Sequence, residues 1–384
     1  MLNDQQEIVL KRLSIFLARP SAKDIIIDAP AGCGKGYLLN HIHNNEAAIT
    51  EKVRLLDDHF TGVFVYTATT NEALGVLPTS ASTIYSYAGL RPKYPTGFNT
   101  RGRPVKDAPI IFVDEASYIG KEAHDAIRYQ LPNAKIVWVM DEFQLADVKE
   151  GKAYVAQLGF EKLTMNKVMR STGRIQEISH VLREAVRAEQ EVDLRQFDDG
   201  NQIVLLSPSD FDKKIIEEYK KSRMDCRYLA FNREIVKQYN NAIHKHVFGH
   251  PDFPHAHASA IINKYNENVG LRCGTHVGIR KVTTKQVLLD KGHVITETHL
   301  ETNKDTLILC DDKVPKGIYN PNRFLYSDIA LPYGCTVHKS QGQSIPNIFL
   351  DLPNIESCFS AEMRRRLRYV GWSRASNKIY MKDY

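Results

Sequence analysis

Residues 24–40 (DIIIDAPAGCGKGYLLN) constrain the fold more than any other stretch of this chain. The three isoleucines at 25–27 form a short β-branched run, which is typical of a strand buried on both faces of a parallel sheet. A glycine-rich turn follows and ends in Gly34 and Lys35, and a helical pattern begins at Tyr37. Strand, glycine-rich turn and helix in this order predict a phosphate-binding loop, because backbone N–H groups and a helix N-terminus favour an anion there.

This loop departs from the consensus G-x-x-x-x-G-K-[ST] at two positions. Ala29 replaces the first glycine, which is a small change. Gly36 replaces the Ser or Thr whose hydroxyl normally binds Mg²⁺. A glycine-rich turn that binds no nucleotide is the alternative interpretation of this stretch alone.

Other apolar runs indicate further strands of an α/β fold. Residues 63–66, 109–113 and 135–140 are such runs. The second ends in Asp114 and Glu115, a pair that otherwise would simply begin a helix. Behind a phosphate-binding loop, Asp114 is expected to hold Mg²⁺, directly or through water, and Glu115 to polarise the attacking water. The third run leads to Gln144, where an amide could sense the γ-phosphate.

Two stretches are candidates for nucleic-acid contacts. Hydroxyls in residues 67–73 (TATTNEA) follow a strand and could hold backbone phosphates, or they could cap the next helix. Residues 91–104 interleave four basic residues with Tyr94 and Phe98, a combination suited to single strands because phosphates meet charge and bases stack on rings. A solvated surface loop is the alternative for this second stretch.

The rest of the chain predicts a helix over 2–18, a helix over 165–187 and a strand over 227–232 followed by a helix over 234–248. From about residue 251 to 324 the composition changes. Short alternating stretches separated by Gly, Asp and Asn predict a small antiparallel β insertion.

Composition limits the class of protein. A chain of 384 residues is long enough for two or three domains. Its net charge of +6 is compatible with nucleic acid but does not establish it. The six cysteines form no C-x-x-C pair, so we expect neither a disulfide framework nor a zinc site. The polar N-terminus and the lack of a long apolar run predict no signal peptide and no membrane segment.

Taken in order, these stretches resemble the motifs of superfamily 1 helicases, and most closely the superfamily 1B branch of Dda, RecD and Pif1. The resemblance runs through nearly the whole chain. It is carried by LNDQQ (2–6), APAGCGKG (29–36), TATTNEA (67–73), STIYSYAGL (82–90), FVDEAS (112–117), MDEFQLADV (140–148), VMRS (168–171), CTVHKSQGQS (335–344) and YVGWSRAS (369–376).

The sequence departs from the family pattern at three places in two of these motifs, besides the phosphate-binding loop. Tyr85 stands where histidine is usual, Met140 replaces a glycine, and Ala146 with Asp147 replaces a pair of prolines. The stretch at 335–344 is the most specific single match.

The resemblance implies a role for each matching position. The residues expected to act in catalysis are Lys35, Asp114, Glu115, Gln144, Arg170 and Arg374. Those expected to bind the nucleotide are Gln6 (which would read the adenine edge), Ala31, Gly32, Cys33, Gly34, Lys35, Gly36, Tyr37 and Gly342. Those expected to line the nucleic-acid track are Thr67, Thr69, Asn71, Thr83, Tyr94, Phe98, Thr336 and His338.

The resemblance also implies an α/β fold with two RecA-like domains built on parallel sheets. The first would span 1–165 with a strand-separating pin at about 88–106. The second would span 166–250 and 328–384, and an SH3-like β insertion would span 251–327.

The implied function is that of an ATP- and Mg²⁺-dependent 5′→3′ DNA helicase that moves on single strands and opens duplexes at junctions. Such a protein is expected to be a monomer in the cytoplasm of a bacterial cell or phage-infected host, with a nucleus or organelle as the alternative. Its partners would be replication or recombination proteins, and it would act in DNA replication, repair or recombination. An RNA-directed helicase and a nucleotide-gated clamp with little hydrolysis are the alternatives; Gly36 favours the clamp.

Overall fold

The computed structural model describes residues 2–93, 97–100, 109–146, 151–167, 173–222, 225–263, 269–271, 274–310, 314–315 and 318–384. The predicted site residues Tyr94 and Arg170 lie outside these ranges. No helix in the described ranges is both long enough and apolar enough to cross a membrane.

The strands, in chain order, are β1 Asp24–Asp28, β2 Phe64–Ala68, β3 Ser82–Thr83, β4 Leu90–Pro92, β5 Phe98–Thr100, β6 Ile110–Asp114, β7 Lys135–Met140, β8 Glu161–Thr164, β9 Ile203–Leu206, β10 Cys226–Ala230, β11 Ser259–Ile262, β12 His276–Leu288, β13 Val294–Thr302, β14 Thr306–Cys310, β15 Ile329–Ala330, β16 Gly334–Thr336, β17 Ile345–Asp351 and β18 Ala375–Lys382. The α-helices are α1 Asp4–Leu17, α2 Lys35–Asn44, α3 Glu46–Arg54, α4 Ile84–Tyr87, α5 Lys121–Gln130, α6 Arg174–Arg187, α7 Pro208–Lys221, α8 Arg233–Phe248, α9 Val337–Ser340, α10 Leu352–Glu356 and α11 Ala361–Trp372.

The chain forms two compact units. The first unit consists of Met1–Pro208 together with Val337–Tyr384, and the second unit is Ser209–Thr336. The three-part division expected from the motifs stays a prediction.

The first unit contains a six-stranded parallel sheet in the order β3-β2-β6-β7-β1-β8. Its central strands are buried on both faces. Ile25 and Ile27 pack on one side with Phe16 of α1, whereas Ile26 packs on the other side with Trp138. This alternation explains why the strands are continuous apolar runs in the sequence.

The first unit also contains the parallel strands β17, β18 and β9, with β18 in the middle. Helices α6 and α11 belong to this part, where the Trp372 indole N–H donates to the Ile175 carbonyl at 3.1 Å. A short antiparallel ladder of β4 and β5 lies within the predicted pin insertion.

The second unit combines the parallel pair β10 and β16 with a five-stranded antiparallel sheet in the order β14-β13-β12-β11-β15. The antiparallel sheet lies where the composition change predicted one. The sequence predicted only short stretches in this region, but β12 is a single strand of 13 residues, His276–Leu288. Residues 281–284 keep pairing with β13, although Lys281, Thr283 and Thr284 are exposed and only Val282 packs against the core of this sheet.

The helix predicted over 165–187 was wrong in its first part. Met165, Asn166 and Lys167 are not helical, and α6 begins at Arg174 after Gly173, whose φ of +67° is outside the helical region. A glycine tolerates this backbone conformation because it has no Cβ.

Candidate nucleotide-binding site

A cavity of about 450 Å³ lies at the carboxyl ends of the first unit's parallel strands, in front of the turn between β1 and α2. Ligands of open α/β sheets bind at such strand ends. Its lining residues are Ala31, Gly32, Gly34, Lys35, Gly36, Tyr37, Asn40, Ala73, Val76, Asp114, Glu115, Gln144, Gly342 and Arg374. The structure therefore brings together most of the residues that the sequence assigned to nucleotide binding and catalysis.

The loop between β1 and α2 has the backbone of an anion-binding turn. Gly32 and Gly34 have φ angles of +83° and +79°, which only glycine adopts without strain. The Lys35 ammonium donates to the Ala29 carbonyl at 2.7 Å and to the Pro30 carbonyl at 3.4 Å, so it is held across the mouth of the loop. Cys33 is buried, and this burial raises the pKa of its thiol to about 11, which leaves it a packing residue.

Gln6 lies against the back of the loop rather than in the cavity lining. Its side-chain oxygen accepts the Asn3 N–H at 3.0 Å, while the Asn3 side chain accepts the Gln6 N–H, which completes a capping box for α1. Its amide nitrogen donates to the Gly34 carbonyl at 3.3 Å. In this structure Gln6 thus fixes the loop to α1, and its reading of adenine stays a prediction.

Asp114 and Glu115 place two carboxylates at the end of β6. Both are buried, at 4% and 6% exposure. Burial, together with the neighbouring Glu115 charge, raises the pKa of Asp114 to about 7, whereas Lys35 acts in the opposite direction. Hard oxygen donors facing a phosphate loop are the ligands that Mg²⁺ prefers, so these residues fit that ion.

Gln144 follows β7 and is 1% exposed. Its amide nitrogen donates to Asp141 at 3.1 Å, and the Arg366 guanidinium donates to its backbone carbonyl. Its side-chain oxygen is buried without a hydrogen-bond partner among the described residues. A buried acceptor of this kind at a cavity wall is costly unless a donor arrives there, and a bound water is one such donor.

Arg374 also lines the cavity. It is 1% exposed and donates to the Val370 carbonyl at 3.1 Å and the Ser373 hydroxyl at 2.8 Å. Burial lowers the pKa of this guanidinium, and the Glu115 charge partly offsets the effect. A buried arginine at a cavity wall is suited to a phosphate.

Sequence reasoning missed an ionic network under the loop. Arg183 of α6 contacts Asp28 at 3.1 Å and Asp141 at 3.4 Å, and the Tyr369 hydroxyl donates to Asp141 at 2.6 Å. Burial, then the nearby Asp141 charge, raises the pKa of Asp28 to about 6. The only sequence signal for this network was the acid Asp28 directly after the apolar run at 25–27.

The Asn40 amide was also missed. It donates to the Gly36 carbonyl at 2.9 Å and to the Val76 carbonyl at 2.7 Å, which links α2 to the cavity wall.

The residues predicted for nucleic acid lie in several environments. Thr67 is fully buried and its hydroxyl donates to the Phe112 carbonyl at 2.8 Å, so a phosphate contact does not fit its burial. The Thr69 hydroxyl donates to the Glu115 carbonyl at 3.0 Å. Both hydroxyls tie the end of β2 to β6 instead of facing solvent.

The other described members of this group are partly exposed. Thr83 caps α4 by accepting the Ser86 N–H at 3.2 Å, and Phe98 stacks on Tyr85 with ring centroids 5.5 Å apart. Asn71 and His338 are half-buried in the first unit. Thr336 is half-buried at the end of the second unit.

A parallel sheet with a phosphate loop, an acidic strand end and an arginine on one cavity defines a P-loop nucleotide-binding protein. A family model described as an AAA domain matches residues 1–205, and one described as a UvrD-like helicase C-terminal domain matches residues 333–381. The first match covers more than half of the chain, which therefore belongs to this AAA-domain family.

Solved structures agree with this assignment. The chain is similar to the Pif1 helicase from Candida albicans, with 16% identity, a TM-score of 0.58, and coverage of 100% of this chain and 94% of that one. It is similar to a Bacteroides Pif1 helicase in complex with ADP-AlF3 and single-stranded DNA, with 15% identity, a TM-score of 0.60, and coverage of 100% and 92%. The chain therefore shares the fold of these Pif1 helicases, which confirms the predicted fold class and agrees with the resemblance at the level of the fold. No curated protein sequence matches the chain significantly.

Proposed function

We propose that this protein is an ATP-dependent DNA helicase that moves 5′→3′ along single-stranded DNA and opens duplexes at single-strand/double-strand junctions. The observation that carries the proposal is that Lys35, Glu115, Gln144 and Arg374 line one and the same cavity. Phosphoryl transfer to water requires cations that stabilise the charge on the phosphates and a carboxylate that accepts a proton from the water. Lys35 and Arg374 are such cations, and Glu115 is such a carboxylate.

The chemistry assigns a role to each group. Lys35 and the loop N–H groups bind the β- and γ-phosphates, and Arg374 stabilises the charge that develops on the γ-phosphate. Glu115 accepts a proton from water as the water oxygen bonds to the γ-phosphorus and the bond to the ADP oxygen breaks. Gln144, through its unpartnered oxygen, orients that water. Arg170, which the family pattern places beside Arg374, is proposed to join it.

The proposal includes Mg²⁺ as the cofactor. Asp114 would hold it, directly or through water, and the ion would neutralise phosphate charge. Because Gly36 supplies no hydroxyl, one further water is expected where relatives of this loop type use Ser or Thr.

The proposed track for the DNA runs over the partly exposed residues of the first unit, with Asn71, Thr83, Phe98 and His338 as contacts. The Bacteroides relative bound to single-stranded DNA, which is 15% identical with a TM-score of 0.60, supports DNA as the polymer. The β4–β5 ladder is proposed as the strand-separating pin. We further propose a monomer with the three-part domain division, acting with replication or recombination proteins.

ATP hydrolysis with and without single-stranded DNA or RNA tests the substrate. We expect strong stimulation by DNA; stimulation by RNA alone would replace the proposal with the RNA-directed alternative.

The direction of movement is tested with single-stranded DNA oligonucleotides that carry a biotin at the 3′ or the 5′ end, by measuring which end loses its bound streptavidin. Release from the 3′ end is expected, and release from the 5′ end alone would reverse the assigned polarity.

A nucleotide-gated clamp is the second candidate, and Gly36 is the observation that favours it. Single-stranded DNA binding that depends on ATP but proceeds without hydrolysis at any Mg²⁺ concentration would establish the clamp and contradict the helicase.

A further inference from the structure

The carboxylate of Glu115 is held by a residue from the far end of the sequence. The Gln341 side-chain amide donates to Glu115 Oε2 at 2.8 Å, although the two residues are 226 positions apart. Gln341 is 5% exposed, so solvent does not compete for this bond. The other carboxylate oxygen, Oε1, lies toward Gly342, 3.5 Å from where a Cβ on that glycine would be. Gly342 and Glu115 both line the nucleotide cavity, so Oε1 is the oxygen left for the water.

Tyr118 fixes which way the Gln341 amide points. Its hydroxyl donates to Gln341 Oε1 at 2.8 Å and lies 3.4 Å from the His338 carbonyl. A side-chain amide can rotate by about 180°, which exchanges the positions of its oxygen and nitrogen. In the rotated orientation the amide oxygen of Gln341 would face the Glu115 carboxylate, and two acceptors would meet. Because Tyr118 supplies a donor on one side, the nitrogen is kept facing Glu115.

The backbone of Glu115 is also constrained. Its φ of 53° lies in the left-handed region, which costs a non-glycine residue about 1–3 kcal/mol unless the surroundings hold it. Three hydrogen bonds do so. Its N–H donates to Asp114 Oδ1 at 2.9 Å, and its carbonyl accepts the Thr69 hydroxyl at 3.0 Å and the Tyr118 N–H at 3.2 Å.

We propose that Gln341, oriented by Tyr118, is a positioning residue that presents Glu115 Oε1 to the attacking water and couples nucleic-acid binding to ATP hydrolysis. This inference rests on the proposed function. The coupling follows from chain connectivity: Gln341 directly follows α9, which carries His338, a proposed DNA contact. A shift of α9 by bound DNA therefore moves the amide that holds Glu115. Thr69, from the TATTN stretch, provides a second tie to the same residue.

Two variants test the contacts from Tyr118 to Gln341 and from Gln341 to Glu115, and one further variant is the matched control. Gln341→Leu removes the amide at nearly constant volume, and Tyr118→Phe removes a single oxygen atom. For both we expect the DNA-stimulated kcat to fall about tenfold, which is only part of the roughly 10²–10⁴-fold that a general base contributes, because Glu115 remains but is misplaced. The KM for ATP and the affinity for single-stranded DNA should stay nearly unchanged. Gln343→Leu is the control, because the Gln343 side chain bonds to the Lys339 carbonyl at 3.0 Å within its own segment. It should keep the kcat of the wild type.

A double-mutant cycle separates positioning from a general structural effect. If Gln341 acts through Glu115, Gln341→Leu should cause little further loss of kcat in a Glu115→Gln background. Additive losses, or a full kcat in both single variants, would overturn the inference. If Gln341→Leu fails to fold, the DNA-stimulated kcat of Tyr118→Phe tests the inference by itself. A wild type without DNA-stimulated hydrolysis would instead overturn the proposed function and this inference with it, so the two failures are distinguishable.

Discussion

Lys35 and Glu115 face the same cavity from the loop and from the end of β6, and they have different tasks. Lys35→Ala should weaken nucleotide binding and abolish hydrolysis, because the phosphates lose their counter-charge. Glu115→Gln keeps the shape and the Gln341 contact but cannot accept a proton. We expect it to bind ATP normally while kcat falls about 10²–10⁴-fold.

Steady-state ATPase assays with saturating single-stranded DNA, combined with binding of a fluorescent ATP analogue, measure both effects. The melting temperature of each variant controls for folding. Wild-type turnover in Glu115→Gln would show that another group accepts the proton.

Gly36 is the position where the chain departs most from its family, and the structure leaves space there. A Cβ would lie 3.6 Å from Val76 Cγ2, an ordinary van der Waals contact, and Tyr37 is 51% exposed and does not fill the position. Gly36→Thr should therefore fit and supply the missing hydroxyl. We expect it to lower the Mg²⁺ concentration for half-maximal hydrolysis.

Gly36→Val is the matched control, because it has the same shape without the hydroxyl. It should leave the Mg²⁺ requirement of the wild type unchanged. An equal effect of both substitutions would mean that helix propensity, and not coordination, causes the change.

Helix α6 is fixed to the loop region by one buried cation. Arg183 is 5% exposed and is the shared partner of Asp28 and Asp141. Arg183→Met would leave both carboxylates buried without that cation, so the free energy of unfolding should fall by about 3–5 kcal/mol.

Arg187→Met on the same helix is the control, since its ion pair with Glu184 is exposed and should contribute at most about 1 kcal/mol. Urea denaturation of the two variants compares them. Equal destabilisation would mean that the network under the loop stabilises no more than a surface pair.

The strands were predictable from sequence because burial on both faces leaves a continuous apolar run. The predicted run at 135–140 coincides with β7, and the run at 25–27 lies within β1. The start of α6 was not predictable from hydrophobic spacing, since Met165 is buried without being helical. The length of β12 was missed because an exposed strand face carries no apolar signal.

At the scale of the whole molecule, motif order predicted which residues meet, but not how they are held. Lys35, Asp114, Glu115, Gln144 and Arg374 all line one cavity. The contacts of Gln341 with Glu115 and of Tyr369 with Asp141 span more than two hundred positions, and no local pattern encodes them. The roles of Thr67 and Gln6 in packing and capping likewise depend on neighbours that the sequence does not reveal.

The net charge of the chain bears on how it would hold a polyanion. With 51 Lys and Arg against 45 Asp and Glu, the excess of +6 is modest, so binding must come from local contacts to phosphates. Each phosphate neutralised on a single strand releases counterions, which gives a slope of about −0.7 in log K against log salt. We therefore expect the affinity for oligo-dT to fall linearly on this scale, with a slope that reports several phosphate contacts.

Fluorescence anisotropy from low to physiological salt measures this slope. An uncharged peptide nucleic acid of the same sequence is the control, because it has no phosphates, and its binding should be weak and independent of salt. Replacing His338 by Ala should leave the slope nearly unchanged if His338 stacks on a base, and should reduce it if His338 contacts a phosphate in its charged form. An affinity for oligo-dT that does not change with salt would contradict movement along the DNA through contacts to its phosphate backbone.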